Sequence, residues 1–282
     1  MLRFLIKGLT LCFSVVLFTS FSTTQANPKP VNLFVYKTTK AVHGDSMASY
    51  HTTHRDNLKS LSHYMKKQGL GIDTLLQDPR FKIYEGIGDR FKKSAERTSP
   101  NLNQYKRILG FDHKKKQIAR FMDTYADQLN KAEKKYGIPK TVISAIIGVE
   151  SDFGKNTGRY NPFNTYVSMY AVGYRKSFAQ SQLKELMEFV KRNDLDVFTL
   201  KSSYAGAMAF AQFIPYSVNK WFVGKDLLDM NNNIMSVANY LSYFKKRTGS
   251  IEKAVLRYNP SSLYTRAVLD LAKEARDHSA SG

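Results

Sequence analysis

Apolar residues recur along most of the chain at three- and four-residue steps, the spacing that gathers them on one face of an α-helix. The pattern begins at Asn57 with Leu58, Leu61, Tyr64 and Met65, stops at Gly69 to Gly71, and resumes through Ile72, Leu75 and Leu76 as a short helix ended by Asp78-Pro79. Ile118, Phe121, Met122, Tyr125, Leu129 and Ala132 predict an amphipathic helix over 117–135, closed by Gly137 and Pro139. The next helix, over 140–150, is of another kind. Its Val142, Ile143, Ala145, Ile146, Ile147 and Val149 are apolar nearly all round, which assigns it to the protein centre. Ser177 and Gln180 have the spacing of a capping box ahead of Leu183, Leu186, Met187, Phe189 and Val190, and a later helix carries Ile234, Val237, Ala238, Leu241 and Phe244. Between these two lies the run from Ala205 to Ala211, whose small residues permit close approach of a backbone or ligand. With no internal repeat and no convincing strand hairpin, the chain reads as mainly α.

Composition changes this picture at the two ends. The chain is 43% hydrophobic and 13% aromatic, with 17 Tyr and 18 Phe, which excludes disorder over most of its 282 residues. Residues 1–26 differ: Arg3 and Lys7 precede an apolar run through Leu11, Phe13, Val15, Val16, Leu17 and Phe18, with small polar residues ahead of Ala26. That is the pattern of a signal peptide. Ser14, Thr19 and Ser20 leave the run too short to span a membrane, and Leu11 before Cys12 does not fit a lipoprotein site. The expected product is exported, soluble and periplasmic or envelope-associated. Loss of Cys12 with the leader leaves it without a thiol, so burial must stabilise it without disulfides. Residues 27–56, with Pro28, Pro30, His43, His51 and His54, read as a loosely ordered arm; solvated polar residues are the better reading than metal ligands there.

Net charge narrows the partners. The value of +20 falls to +18 when Arg3 and Lys7 depart with the leader, a balance that favours polyanions. Outside the cytoplasm nucleic acid is not expected, which leaves an acidic cell-wall polymer or an anionic envelope surface. The basic run from Lys114 to Lys116 by itself reads as a solvated helix face.

Chemistry concentrates at Glu150, which ends the nearly pure hydrocarbon helix ahead of the polar break Ser151-Asp152-Phe153-Gly154. Desolvation raises a carboxyl pKa, and a carboxyl that keeps its proton near neutral pH can protonate a glycosidic oxygen as the bond breaks. The segment alone leaves open whether Glu150 is such an acid or an exposed helix end.

Tyr136-Gly137-Ile138-Pro139 followed by Ile146-Ile147-Gly148-Val149-Glu150-Ser151-Asp152-Phe153-Gly154 resembles the lytic murein transglycosylase B family, glycoside hydrolase family 103. Two further blocks carry the likeness: Ser203-Tyr204-Ala205-Gly206-Ala207-Met208 with Gln212-Phe213-Ile214-Pro215, and Ser236 to Leu241 with Arg257-Tyr258-Asn259-Pro260 and Tyr264. It extends thinly over 57–273, including Asp78-Pro79-Arg80-Phe81. The resemblance implies a lysozyme-like helical domain with a groove, its core over 117–273 and a helical extension over 57–116. It implies Glu150 as the catalytic acid/base. Ser203, Gln212, Phe213, Tyr258, Asn259 and Tyr264 would line the sugar site, and Arg175 and Lys176 stand where the family often has two arginines. Neither a cofactor nor a metal is expected, because Asp226-Leu227-Leu228-Asp229-Met230-Asn231-Asn232-Asn233 lacks the Asp-x-Asp-x-Asp-Gly spacing of the calcium loop in the best-known members.

The implied reaction is cleavage of the β-1,4 bond between N-acetylmuramic acid and N-acetylglucosamine in peptidoglycan glycan strands. It uses one carboxyl group and leaves a 1,6-anhydromuramyl end. A two-carboxylate muramidase hydrolase needs a second Asp or Glu across the bond, and none stands out in the three blocks; Asp152 is expected to cap the helix or face solvent. A non-catalytic wall-binding protein is the alternative from another class.

Overall fold

The computed structural model describes residues 44–94, 98–99 and 101–280. The expected leader, residues 1–26, and residues 27–43 of the arm lie outside them. Thirteen α-helices form among the described residues: α1 Gly44–Lys67, α2 Asp73–Gln77, α3 Ile87–Lys92, α4 Leu102–Ile108, α5 Phe111–Thr124, α6 Ala126–Tyr136, α7 Lys140–Ser151, α8 Pro162–Ala171, α9 Lys176–Asn193, α10 Pro215–Trp221, α11 Met230–Thr248, α12 Ile251–Tyr258 and α13 Ser262–Ala280, with a 3-10 turn at Val197–Thr199. No described helix is long and apolar enough to cross a membrane.

The centre is α7. Residues 141–149 are all buried, and the helix packs against α5, α6, α11 and α13, as its all-round apolar sequence requires. Gly137 closes α6 in the left-handed conformation (φ +65°), and Lys245 from the last turn of α11 donates to the Gly137 carbonyl (2.9 Å), tying two helix C-termini together.

Several sequence expectations are corrected. Helix α1 starts at Gly44, so the arm read as loosely ordered is helical from that point; once the packed segment beyond Asn57 is helical, adding turns to it needs no new nucleus. The helix expected over 117–135 is two, α5 and α6, separated at Tyr125 (φ −113°). There the Thr124 hydroxyl donates back to the Arg120 carbonyl (2.8 Å) and the Tyr125 ring packs on Phe121 at 4.9 Å. Ser177 lies inside α9, whose N-cap is Arg175 in the left-handed conformation with no side-chain cap, so no capping box forms. The Ala205–Ala211 stretch is a loop, held by isolated antiparallel bridges that pair Tyr160 with Ser202, Ser202 with Met208 and Met208 with Phe213. Lys114 is not on a solvated face: it is 6% exposed and pairs with Asp152 at 2.9 Å.

Candidate active site

Glu150 occupies the last turn of α7 and is partly buried. The chain leaves that helix through two consecutive non-glycine residues in the left-handed region, Asp152 (φ +52°) and Phe153 (φ +58°), before Gly154 (φ +91°). Left-handed backbone at such residues is strained and persists only where surroundings enforce it. Three interactions do so. The buried Ser151 hydroxyl donates to the Ile147 carbonyl (3.0 Å) and accepts the Gly154 N–H (3.1 Å). The Phe153 ring lies directly over Gly148, where a Cβ would come within 2.6 Å of it, and stacks on Phe121 at 5.2 Å. Asp152 accepts from Lys114 at 2.9 Å, with Lys155 at 3.8 Å. Burial opposes the charge on Asp152, but the hydrogen bond and charge of Lys114 outweigh it, and the carboxyl is held below its ordinary range. Asp152 is thus the C-cap of α7, as one of the two sequence expectations has it: its N–H donates to the Gly148 carbonyl (3.1 Å) while its carboxylate pairs with Lys114 instead of facing bulk solvent.

Glu150 Oε1 accepts a hydrogen bond from the Tyr264 hydroxyl at 2.6 Å. Tyr264 is fully buried near the start of α13. Burial, reinforced by the negative charge of Glu150, pushes its ionisation far up, so it remains a donor. The same two causes act on Tyr258, at the end of α12, whose hydroxyl donates to the Ala211 carbonyl at 2.5 Å. Between the two tyrosines stands Asn259. It is 1% exposed, with extended backbone, and its Nδ2 group meets no acceptor. A buried amide donor without a partner is costly to the fold, and it is the kind of group a bound oxygen satisfies.

The bridged loop forms the adjoining wall. Ala209 and Gln212 both adopt positive φ (+65° and +49°), and Gln212 Nε2 donates to the Ala209 carbonyl at 2.9 Å. Gln212, Phe213, Ser217, Tyr240 and Tyr258 line a shallow concavity. Phe213 is buried and packs at 5.6 Å on both Tyr240 and Tyr258. Ser203 is buried; its N–H donates to the Ala207 carbonyl (2.8 Å) and its hydroxyl accepts the Ala207 N–H (3.2 Å), closing a sharp glycine turn.

Arg175 and Lys176 each lie against an aromatic ring. The Arg175 guanidinium lies over the Phe178 ring (4.3 Å), and Lys176 donates to Asn57 of α1 (2.8 Å) while lying over the Tyr170 ring at 4.7 Å. The segment that departs from the calcium-loop spacing uses its polar groups internally. Asp229 accepts the Asn232 N–H (2.7 Å) as the N-cap of α11, and Asn233 donates to the Leu227 and Asp229 carbonyls while accepting the Ala211 N–H (2.9 Å).

Sequence reasoning passed over Ser217 and Tyr240, which share the concavity, and Lys114, which secures the turn after Glu150. Tyr240 stood inside a matched block; Lys114 gave no signal, since its partner is 38 residues away.

Residues 71–252 match the family model of the transglycosylase SLT domain. The chain belongs to that family. Membrane-bound lytic murein transglycosylase B of Escherichia coli (strain K12) is 28% identical over 129 residues, 44% of this chain and 36% of that protein, so the chain spans little more than a third of that relative's length. Among solved structures, the soluble lytic transglycosylase SltB1 of Pseudomonas aeruginosa superimposes with a TM-score of 0.69 at 23% identity, covering 80% of this chain and 99% of that one. SltB3 of the same organism, solved in complex with NAG-NAM-pentapeptide, gives 0.65 at 19% identity, covering 78% and 79%. The family and its helical, lysozyme-like fold are thus those the sequence resemblance implied.

Proposed function

We propose that this protein is a lytic transglycosylase that cuts peptidoglycan between N-acetylmuramic acid and N-acetylglucosamine, with Glu150 as its one acid/base. The observation that carries the reading is the pairing of Glu150 with the buried Tyr264 hydroxyl, and the unpartnered, buried Asn259 Nδ2 adds to it. A family of transglycosylases, and a relative solved with NAG-NAM-pentapeptide, supply the substrate class. Tyr264 fixes the carboxyl at the end of a rigid helix, and Asn259 offers a donor to a sugar acetamido or hydroxyl oxygen.

In the first step the Glu150 carboxyl gives its proton to the bridging oxygen, the N-acetylglucosamine side leaves as an alcohol, and the substrate's own acetamido oxygen bonds to the muramyl C1. In the second, the C6 hydroxyl attacks C1, the acetamido oxygen departs, and the hydroxyl proton returns to Glu150. No water is consumed, and the carboxyl ends as it began. Asp152, two residues on, is held ionised by Lys114 and is engaged in the turn. This arrangement favours the one-carboxylate route over two-carboxylate hydrolysis. The leader pattern of residues 1–26 and the character of the relatives support action outside the cytoplasm, on the cell wall.

Digestion of purified sacculi, followed by mass spectrometry of the released ends, tests this. The wild type is expected to release 1,6-anhydromuramyl ends, and Glu150→Gln to bind sacculi but lose cleavage by at least about 10²-fold. Reducing ends would identify a hydrolase. Binding without release by the wild type would identify a wall-binding protein.

A further inference from the structure

The aromatic lining of the concavity continues beyond it. From Tyr258 an aromatic series runs outward to Tyr240 (centroids 4.9 Å apart), to Trp221 (4.8 Å), and then to both Tyr216 (5.8 Å) and Tyr243 (5.5 Å). Tyr258 and Tyr240 are buried and Trp221 partly so, whereas Tyr216 and Tyr243 are 40% and 43% exposed, two of only four large hydrophobic side chains so open among the described residues. Each has a cation from the next turn of its own helix: Lys220 Nζ lies 5.9 Å from the Tyr216 ring centre and the Arg247 guanidinium 5.4 Å from that of Tyr243. The supporting helices, α10 and α11, contain no Asp or Glu, while Lys220, Lys245, Lys246 and Arg247 all lie on them. Grouped surface aromatics of this kind mark interaction sites, whereas single ones need no explanation.

We propose that Tyr216, Trp221 and Tyr243, flanked by Lys220 and Arg247, form an accessory platform that holds a glycan strand beyond the sugars at the cleavage site. The inference rests on the peptidoglycan reading above. A pyranose ring stacks its C–H face on an aromatic ring, and the flanking cations match the carboxylates that a muramyl polymer bears. Continuity with the concavity through Tyr240 makes a glycan strand, rather than a bilayer, the occupant the observations favour. A strand seated on the platform would be held in register with the site. Polymeric substrate would then be retained better than short fragments.

Trp221 is the protein's sole tryptophan, so its fluorescence reports on this surface alone. The full chain carrying Glu150→Gln is titrated with solubilised glycan strands, with the muropeptide disaccharide, and with vesicles of anionic phospholipid, binding being followed separately by sedimentation. Strands are expected to shift Trp221 emission saturably and the disaccharide not to. Adding Tyr216→Ala with Tyr243→Ala should weaken strand binding about tenfold. Lys220→Gln with Arg247→Gln should reduce its salt dependence. Sedimentation of strands with no change at Trp221, or equal strand affinity after loss of both tyrosines, overturns the platform and leaves the cleavage reading standing. A Trp221 response to vesicles but not to strands overturns it in favour of a membrane surface. Failure of strands to bind any form removes both readings, and cleavage by Glu150→Gln with platform binding intact removes only the assignment of the acid.

Discussion

At the scale of single residues, the Tyr264 hydroxyl donates to Glu150, the acid of the reaction proposed above. A hydrogen bond to an ionised carboxylate is worth about 1.5–3 kcal/mol. Tyr264→Phe is therefore expected to lower kcat about ten- to a hundredfold with little change in KM. Steady-state rates of soluble glycan cleavage check this, and an unchanged kcat would detach Tyr264 from the proposed acid. The hydrocarbon helix singled out Glu150 and the resemblance singled out Tyr264, and the fold brings the two into contact. Ser203, Lys176 and Asp152 look like free polar groups in a string of letters, but each has a partner that only the folded chain supplies.

Among the elements, the loop carrying Gln212 is the most tightly constrained. At Gly206 the backbone is left-handed (φ +81°), and a Cβ there would lie 2.3 Å from the Tyr166 ring, whose hydroxyl donates to the Gly206 carbonyl at 2.9 Å. Left-handed strain and overpacking together predict that Gly206→Ala costs about 2–4 kcal/mol. Tyr166→Phe, which removes only the hydrogen bond, should cost about 1 kcal/mol. Urea unfolding midpoints separate the two, and a Gly206→Ala protein as stable as Tyr166→Phe would contradict the fit. The small-residue run announced a close approach, but not that the intruder is an aromatic ring or that the run is a loop. Small residues serve tight helix packing and tight turns equally, and periodicity cannot tell them apart. The helices themselves were legible wherever apolar periodicity was sustained, as in α7 and α11. The reading failed at junctions such as Tyr125, where a back-bonded threonine and a ring contact break a pattern that continues on either side.

Over the whole molecule, the Lys114–Asp152 pair joins α5 to the turn that follows the central helix. Its sign is set by the depressed carboxyl of Asp152: the contribution is fully present above the unfolded-state value of about 4 and is lost as pH falls through the lower folded value. Melting temperature plotted against pH should fall in this acidic window for the wild type, and less steeply for Asp152→Asn. Lys114→Met, which strands the carboxylate in a partly buried position, should be the more damaging change at neutral pH. Arg80 provides a second long-range tie. It bridges Asp78, whose carboxyl it holds down to about 2, and Asp196 beside the 3-10 turn, so the Asp-Pro-Arg-Phe motif fastens the N-terminal helices to the core.

The hydroxyl that donates to Glu150 comes 114 residues later in the chain, on α13. A polypeptide folded only as far as α12 would hold the carboxyl without its tyrosine, so the pair forms only when α13 docks on α7.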